Sequence, residues 1–205
     1  MKQLRFLLII FLLATVHISM NAQTNDLSAE DIAAFKERTG QMIDRFQNNL
    51  SVLGSKDKTG AVKENYKEQT LKMFMGTGDP YKDTYGNEHP AVHMQVSSLR
   101  NGIETKRNIL LKQYLANLVR LNYAKVEITQ AETFRLSNVH KVGDHYEATA
   151  LIFQKFCGYT GDGKRVYCDT TKKTIRIFII PEEDITGKYW TIKFGDVDVS
   201  ETSGI

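Results

Sequence analysis

The chain has only two cysteines, three prolines and one tryptophan among its 205 residues, and it carries no strong excess of either charge. Three prolines and scattered glycines leave no room for a long linker, and there is no internal repeat or low-complexity tract. A Gly-x-Ser-x-Gly elbow, a Gly-x-x-x-x-Gly-Lys phosphate loop and a dinucleotide fingerprint are all missing. These absences remove the commonest sequence grounds for a hydrolase, a nucleotide-binding enzyme or a nicotinamide enzyme. What remains is a length and an apolar content, 41%, sufficient for one domain with a substantial core.

The first residues have a recognisable layout. Lys2 and Arg5 precede an apolar run from Phe6 to Val16, and a polar stretch from His17 to Ala22 follows. This is the order of a secretory signal, with cleavage expected after Ala22; a retained anchor is the alternative. The apolar run is shorter than the roughly 20 residues that span a bilayer. The expected division is a signal peptide over 1–22 and a single domain over 23–205, with the mature protein periplasmic or secreted and without a membrane span. No cysteine follows the run to accept lipid. Loss of Lys2 and Arg5 takes the 27 basic residues to 25, against 24 acidic ones. A nearly neutral domain offers no electrostatic case for nucleic acid. The stretches Lys56-Asp57-Lys58 and Lys172-Lys173 read as solvated surface.

Ser28, with Asp31 three residues on, predicts an N-cap for a helix that carries Ile32, Phe35, Ile43, Phe46 and Leu50 at helical spacing and holds Gly40 inside it. A second helix carries Val62, Tyr66, Met73 and Phe74 and ends near Gly76. Gly76 to Pro90 reads as a turn-rich loop, and Val92 to Val96 as a short strand. A third helix is expected from about Glu104 to Leu121. From Lys125 the period becomes two, with long strands over 146–156, 174–180 and 189–199. In the last of these the apolar parity changes after Gly195, which predicts a bulge there. The order α-α-β-α-β-β-β-β gives an α+β fold: a bent antiparallel sheet of four long strands and a short one, packed on three helices. Leu151, Phe153, Ile175, Ile177 and Ile179 need cover on one side of this sheet, which makes a homodimer through the sheet face an expectation.

Cys157 and Cys168 flank Gly161-Asp162-Gly163-Lys164. With Asp162-Gly163 at the centre of a hairpin turn, Tyr159 falls opposite Val166 and Cys157 opposite Cys168, within reach of a disulfide. Export to an oxidising compartment supports the bond. A three-residue loop would instead put Cys157 opposite Tyr167, and free thiols or half of a metal site are the other readings.

His89 and His93 stand four apart, but Pro90 argues against a helix that would bring them together on a metal. His140 and His145 flank Val142-Gly143-Asp144 and read as surface hairpin residues. Among strand carboxylates, Glu127 and Glu147 alternate away from their apolar neighbours and are expected outside, whereas Asp196 follows the irregular Gly195. The candidate pocket residues are Tyr66, Tyr114, Trp190 and Asp196. No catalytic residue, metal site or cofactor is assigned.

In element order and bent sheet, from the two helices up to Met75 through Tyr114-Leu115-Ala116-Asn117-Leu118 to the four long strands, the chain resembles the nuclear-transport-factor-2-like superfamily. The resemblance implies a cone-shaped fold shared by ketosteroid isomerase-type enzymes and by many non-catalytic binding modules. The functional expectation is an exported, non-catalytic binding or accessory module of the bacterial envelope, with an unknown small ligand or envelope protein as partner. The alternative is a small-molecule isomerase or lyase acting through a buried carboxylate.

Overall fold

The computed structural model describes residues 27–100, 103–185 and 187–204; the predicted signal segment lies outside them. Helix α1 (Ala29–Gly54) opens with a reciprocal capping box, in which Asp31 N–H donates to Ser28 Oγ at 3.0 Å and Ser28 N–H to Asp31 Oδ2 at 3.0 Å. Its apolar stripe buries Phe35, Ile43, Phe46, Leu50 and Leu53. Gly40 has a packing role: a Cβ there would stand 2.8 Å from the ring of Phe134. Helix α2 (Gly60–Lys72) is capped by Thr59 and tied to α1 through buried Asn49 Nδ2 donating to Thr70 Oγ1 at 3.2 Å.

A tight turn over Met75–Gly78, with Gly76 and Gly78 at positive φ, sends the chain into two short paired strands, β1 (Tyr81–Lys82) and β2 (Glu88–His89). Strands β3 (His93–Arg100) and β4 (Ile103–Leu110) form a hairpin, and helix α3 occupies only Leu111–Val119. The helix expected from Glu104 therefore begins seven residues later. Leu111, Leu115 and Leu118 alone supply its buried stripe, while Ile109 and Leu110 pair with Met94 and His93 of β3. Strands β5 (Lys125–Gln130), β6 (Arg135–Leu136), β7 (His140–Val142), β8 (His145–Tyr159), β9 (Arg165–Asp184) and β10 (Gly187–Gly204) complete the chain.

The protein is an α+β fold in which a large sheet of order β4-β3-β10-β9-β8-β5 packs on three helices. Among the described strands the pairings are antiparallel except β10 with β3, which run parallel at Val197 and Met94. One face of the sheet and the helices enclose the core. Ile175, Ile177 and Ile179 of β9 meet Ala150, Ala148 and Tyr146 of β8, and Phe46, Phe74 and Phe194 form an edge-to-face triad with centroids 5.3 to 6.0 Å apart. Because even positions of β8 face odd positions of β9, Leu151 and Phe153 do not share a face with the three isoleucines; they lie half-buried on the outer face.

The predicted irregularity at Gly195 is present as a register shift between Phe194 and Val197, which carries the core-facing side from Ile192 and Phe194 to Val197 and Val199. A Cβ on Gly195 would meet the Phe178 ring at 2.6 Å, so the bend also permits that ring to lie against the backbone. Cys157 and Cys168 are directly opposed and joined by a disulfide. Tyr159, however, faces Arg165 rather than Val166. The turn spans Thr160 to Lys164, with Gly163 at positive φ, and a bulge beside Gly158 then restores the register of the cysteines.

Candidate functional site

The outer face of β8 and β9 reads differently from a solvated sheet face. Along β9 it presents Arg176, Phe178 and Ile180, and beside them β8 presents His145 and Glu147. Glu147 is directly opposite Phe178, while Arg176 lies two pairs further along, next on the same face, and reaches back diagonally. Its Nε and Nη2 donate to the Glu147 carboxylate at 3.1 and 2.9 Å, and its guanidinium stands 4.8 Å over the Phe178 ring. His145 lies 3.2 Å from Glu147 through Nε2 and 3.2 Å from Asp144 through Nδ1, so one imidazole bridges two carboxylates.

The segment carrying β1 and β2 covers this patch. Asp83 organises it as a small knot, accepting from Tyr85 N–H at 3.0 Å, Asn87 N–H at 2.8 Å and Asn87 Nδ2 at 2.9 Å, and lying 3.1 Å from His89 Nε2. Hydrogen bonds from Asn87 and His89 hold its carboxyl far below the ordinary range. Tyr81 stacks on His89 at 4.9 Å, and Thr84 hydroxyl donates to Asp144, which latches the segment to the β7–β8 turn. Tyr85 lies against that turn at Gly143, where a Cβ would stand 3.2 Å from the tyrosine oxygen.

Between cover and sheet lies a cavity of about 420 Å³. Met75, Tyr81, Tyr85, Val142, Phe178 and Ile180 supply its apolar walls, and Glu147, Arg176, His145 and Asp144 a compact polar corner. Such a volume and such a balance of apolar walls and convergent polar groups suit a small ligand. Burial pushes the Glu147 carboxyl up, but hydrogen bonds from Arg176 and His145 outweigh it and hold the pKa below the ordinary value. Arg176 keeps about half of its side-chain surface open. The corner can therefore offer a guanidinium face to a polar group while Glu147 stays ionised.

None of the four residues expected to line a pocket forms this one. Tyr66 is half-buried on α2 against the core. Trp190 packs edge-on against Phe35 and Tyr146 at centroid distances of 6.2 and 5.4 Å. Asp196 is exposed and accepts from His93 N–H at 2.7 Å; it lines an adjoining recess of about 90 Å³ with Tyr81, His89, Arg176 and Phe178. Tyr114 sits on the opposite side of the sheet, near Asp169. The expectation that Glu147 and His145 lie outside in solvent is corrected here. Their outward parity is as read, but the β1–β2 segment buries Glu147 and half-buries His145. Glu127 is half-buried and paired with Lys125 at 2.6 Å and with the Tyr159 hydroxyl at 2.7 Å. One signal pointed to the covered patch: Phe178 and Ile180 place apolar side chains at outward positions of a strand whose inward positions are also apolar.

No family model, curated protein or solved structure matches the chain. Among the described residues no helix is long and apolar enough to cross a membrane, and no three His, Cys, Asp or Glu side chains are grouped to hold a metal. The disulfide is compatible with an exported protein.

Proposed function

We propose that this chain is an exported, non-catalytic binding module, periplasmic or secreted, that takes a small and largely apolar ligand on the outer face of its sheet. The observation that carries this reading is the 420 Å³ cavity walled by Tyr81, Tyr85, Phe178 and Ile180 around the Glu147–Arg176 corner. The half-open guanidinium suits one polar or anionic group on an otherwise apolar ligand. The reading includes a place in the nuclear-transport-factor-2-like superfamily, for which the bend at Gly195 speaks. Self-association is the narrower part of the proposal: Leu151 and Phe153 lie half-buried on the outer face, and a monomeric mass in solution would count against it.

A second reading, an isomerase or lyase, has one observation in its favour, the buried carboxylate of Glu147 inside the cavity. A pKa held below the ordinary carboxylate value makes Glu147 a weak base at neutral pH, which favours binding over proton abstraction. Amide-shift mapping with 1-anilinonaphthalene-8-sulfonate, an apolar probe with one anionic group, tests the proposal. Perturbations should cluster on Tyr81 to His89, Val142 to Glu147 and Phe178 to Ile180. Perturbations confined to other surfaces would refute it.

A further inference from the structure

The core-facing side of β9 changes character along its length. Ile175, Ile177 and Ile179 are followed toward the disulfide by Lys173, Thr171 and Asp169, all buried and all on the side that faces the helices. Gln154 of β8, 4% exposed, joins them from the neighbouring strand, where it is paired with Thr171 and diagonal to Lys173. From β10, Thr202 adds a hydroxyl 3.5 Å from that of Thr171 and bonds Ser97 of β3. The reading of Lys172-Lys173 as solvated surface is half right. Strand alternation leaves Lys172 partly exposed and turns Lys173 inward, to 8% exposure.

This polar half of the interior is short of acceptors. Lys173 Nζ donates to Gln154 Oε1 at 2.6 Å and forms no ion pair among the described residues, Asp169 acting on it from beyond contact. Gln154 Nε2, with two N–H groups, is buried without a partner. Asp169 already accepts from the Tyr167 hydroxyl. From α3, Tyr114 reaches the same region; burial first, and Asp169 second, push its hydroxyl pKa far up, so it stays a donor. A cation and an amide left short of protein acceptors in a buried interior carry a large desolvation cost unless a further group supplies oxygen atoms.

We propose that Lys173, Gln154 and Tyr114 form a second binding site, between α3 and the core-facing side of the sheet, for a small monocarboxylate. One carboxylate brings a single negative charge opposite the lysine, which has no carboxylate in contact, and two planar oxygens for the amide and the phenol. A phosphate dianion would leave excess negative charge beside Asp169. The site lies on the other side of the sheet from the Glu147–Arg176 cavity and is independent of it.

Occupancy requires the protonated amine. Burial lowers the Lys173 pKa to about 8, with Asp169 on β9, the titratable group that acts on it, opposing; Asp169 also acts on Tyr114 of α3. Affinity should therefore hold on the acidic side of pH 8 and fall as pH rises through it, and a bound carboxylate should move the Lys173 titration upward. The test uses butyrate and benzoate, at concentrations up to on the order of 10 mM, with the Lys173 ε-carbon resonance as the readout. Saturable shifts are expected, together with an upward pKa displacement of about one unit for each tenfold preference of the ligand for the charged amine. Lys173→Met and Gln154→Leu should abolish them, Arg176→Met should leave them intact, and butyramide and benzamide should not bind. If Lys173→Met does not fold, Lys173→Gln serves in its place. Absence of any shift with either acid, equal binding of the amides, or binding that survives at the Lys173 variants would overturn the proposal.

Discussion

On the outer face of β9, Arg176 meets Glu147 at 2.9 Å and His145 closes on the same carboxylate at 3.2 Å, whereas three residues away and on the opposite face Lys173 has an amide oxygen and no carboxylate in contact. Both faces bury a charge, at Glu147 and Lys173, and both charges lie at about 8% exposure. The difference is in what surrounds them. Glu147 has its partners before any ligand arrives, so its role is to shape a pocket corner. Lys173 is buried ahead of its partners, and the fold bears the cost of keeping it there.

That contrast makes its largest prediction at Lys173. Its folded pKa, about 8, lies below the 10.5 of the unfolded chain, so between these values the unfolded state holds the extra proton. Below pH 8 the full cost of burial is present, on the order of 3 kcal/mol, and it is relieved as pH rises from 8 to 10.5. Denaturant titration should show the wild type gaining stability over that window relative to Lys173→Met, and the variant more stable at pH 7. A variant less stable than wild type at pH 7 would break the comparison.

Arg176→Met tests the other face. It strands buried Glu147 with His145 alone and should cost about 2 kcal/mol at pH 7, less than a fully buried pair because Arg176 is half open. Since the folded pKa of Glu147 is depressed, the stability it contributes is present above its ordinary pKa and lost as pH falls through the folded value. The gap between wild type and variant should therefore narrow in acid, and a gap independent of pH down to the acid transition would contradict the assignment.

The smallest effect belongs to the cover. Thr84→Val removes the latch to Asp144 and should cost about 1 kcal/mol or less. Hydrogen exchange should quicken in Tyr81 to His89 and stay unchanged in β9, whose opening requires the core.

How much of this was legible depended on whether a signal was local. The capping box at Ser28, the stripe of α1, the alternation of β8 to β10 and the parity change at Gly195 are contained in a few adjacent residues, and each is present in the fold. The cysteine register was readable because the turn and the bulge offset each other by one residue. The segment 104–110 reads as helix because Ile109 and Leu110 continue the apolar stripe of Leu111, Leu115 and Leu118, and only pairing with β3 decides the matter. Burial of Glu147 was invisible for the same reason. Its outward parity was correct, but whether outward means solvent depends on the path of Tyr81 to His89, a turn-rich stretch without periodicity. Lys173 was hidden beside Lys172, where composition suggested surface and alternation placed one lysine on each side.

The central claim is that the cavity under Tyr81 and Tyr85 holds a small ligand. Fluorescence titration of 1-anilinonaphthalene-8-sulfonate into wild type and Ile180→Trp, which fills the cavity from its sheet wall, tests this most directly. The account predicts one saturable site per chain in the wild type and an affinity lower by about tenfold or more in a variant that stays folded. Equal affinity in the two proteins would contradict it.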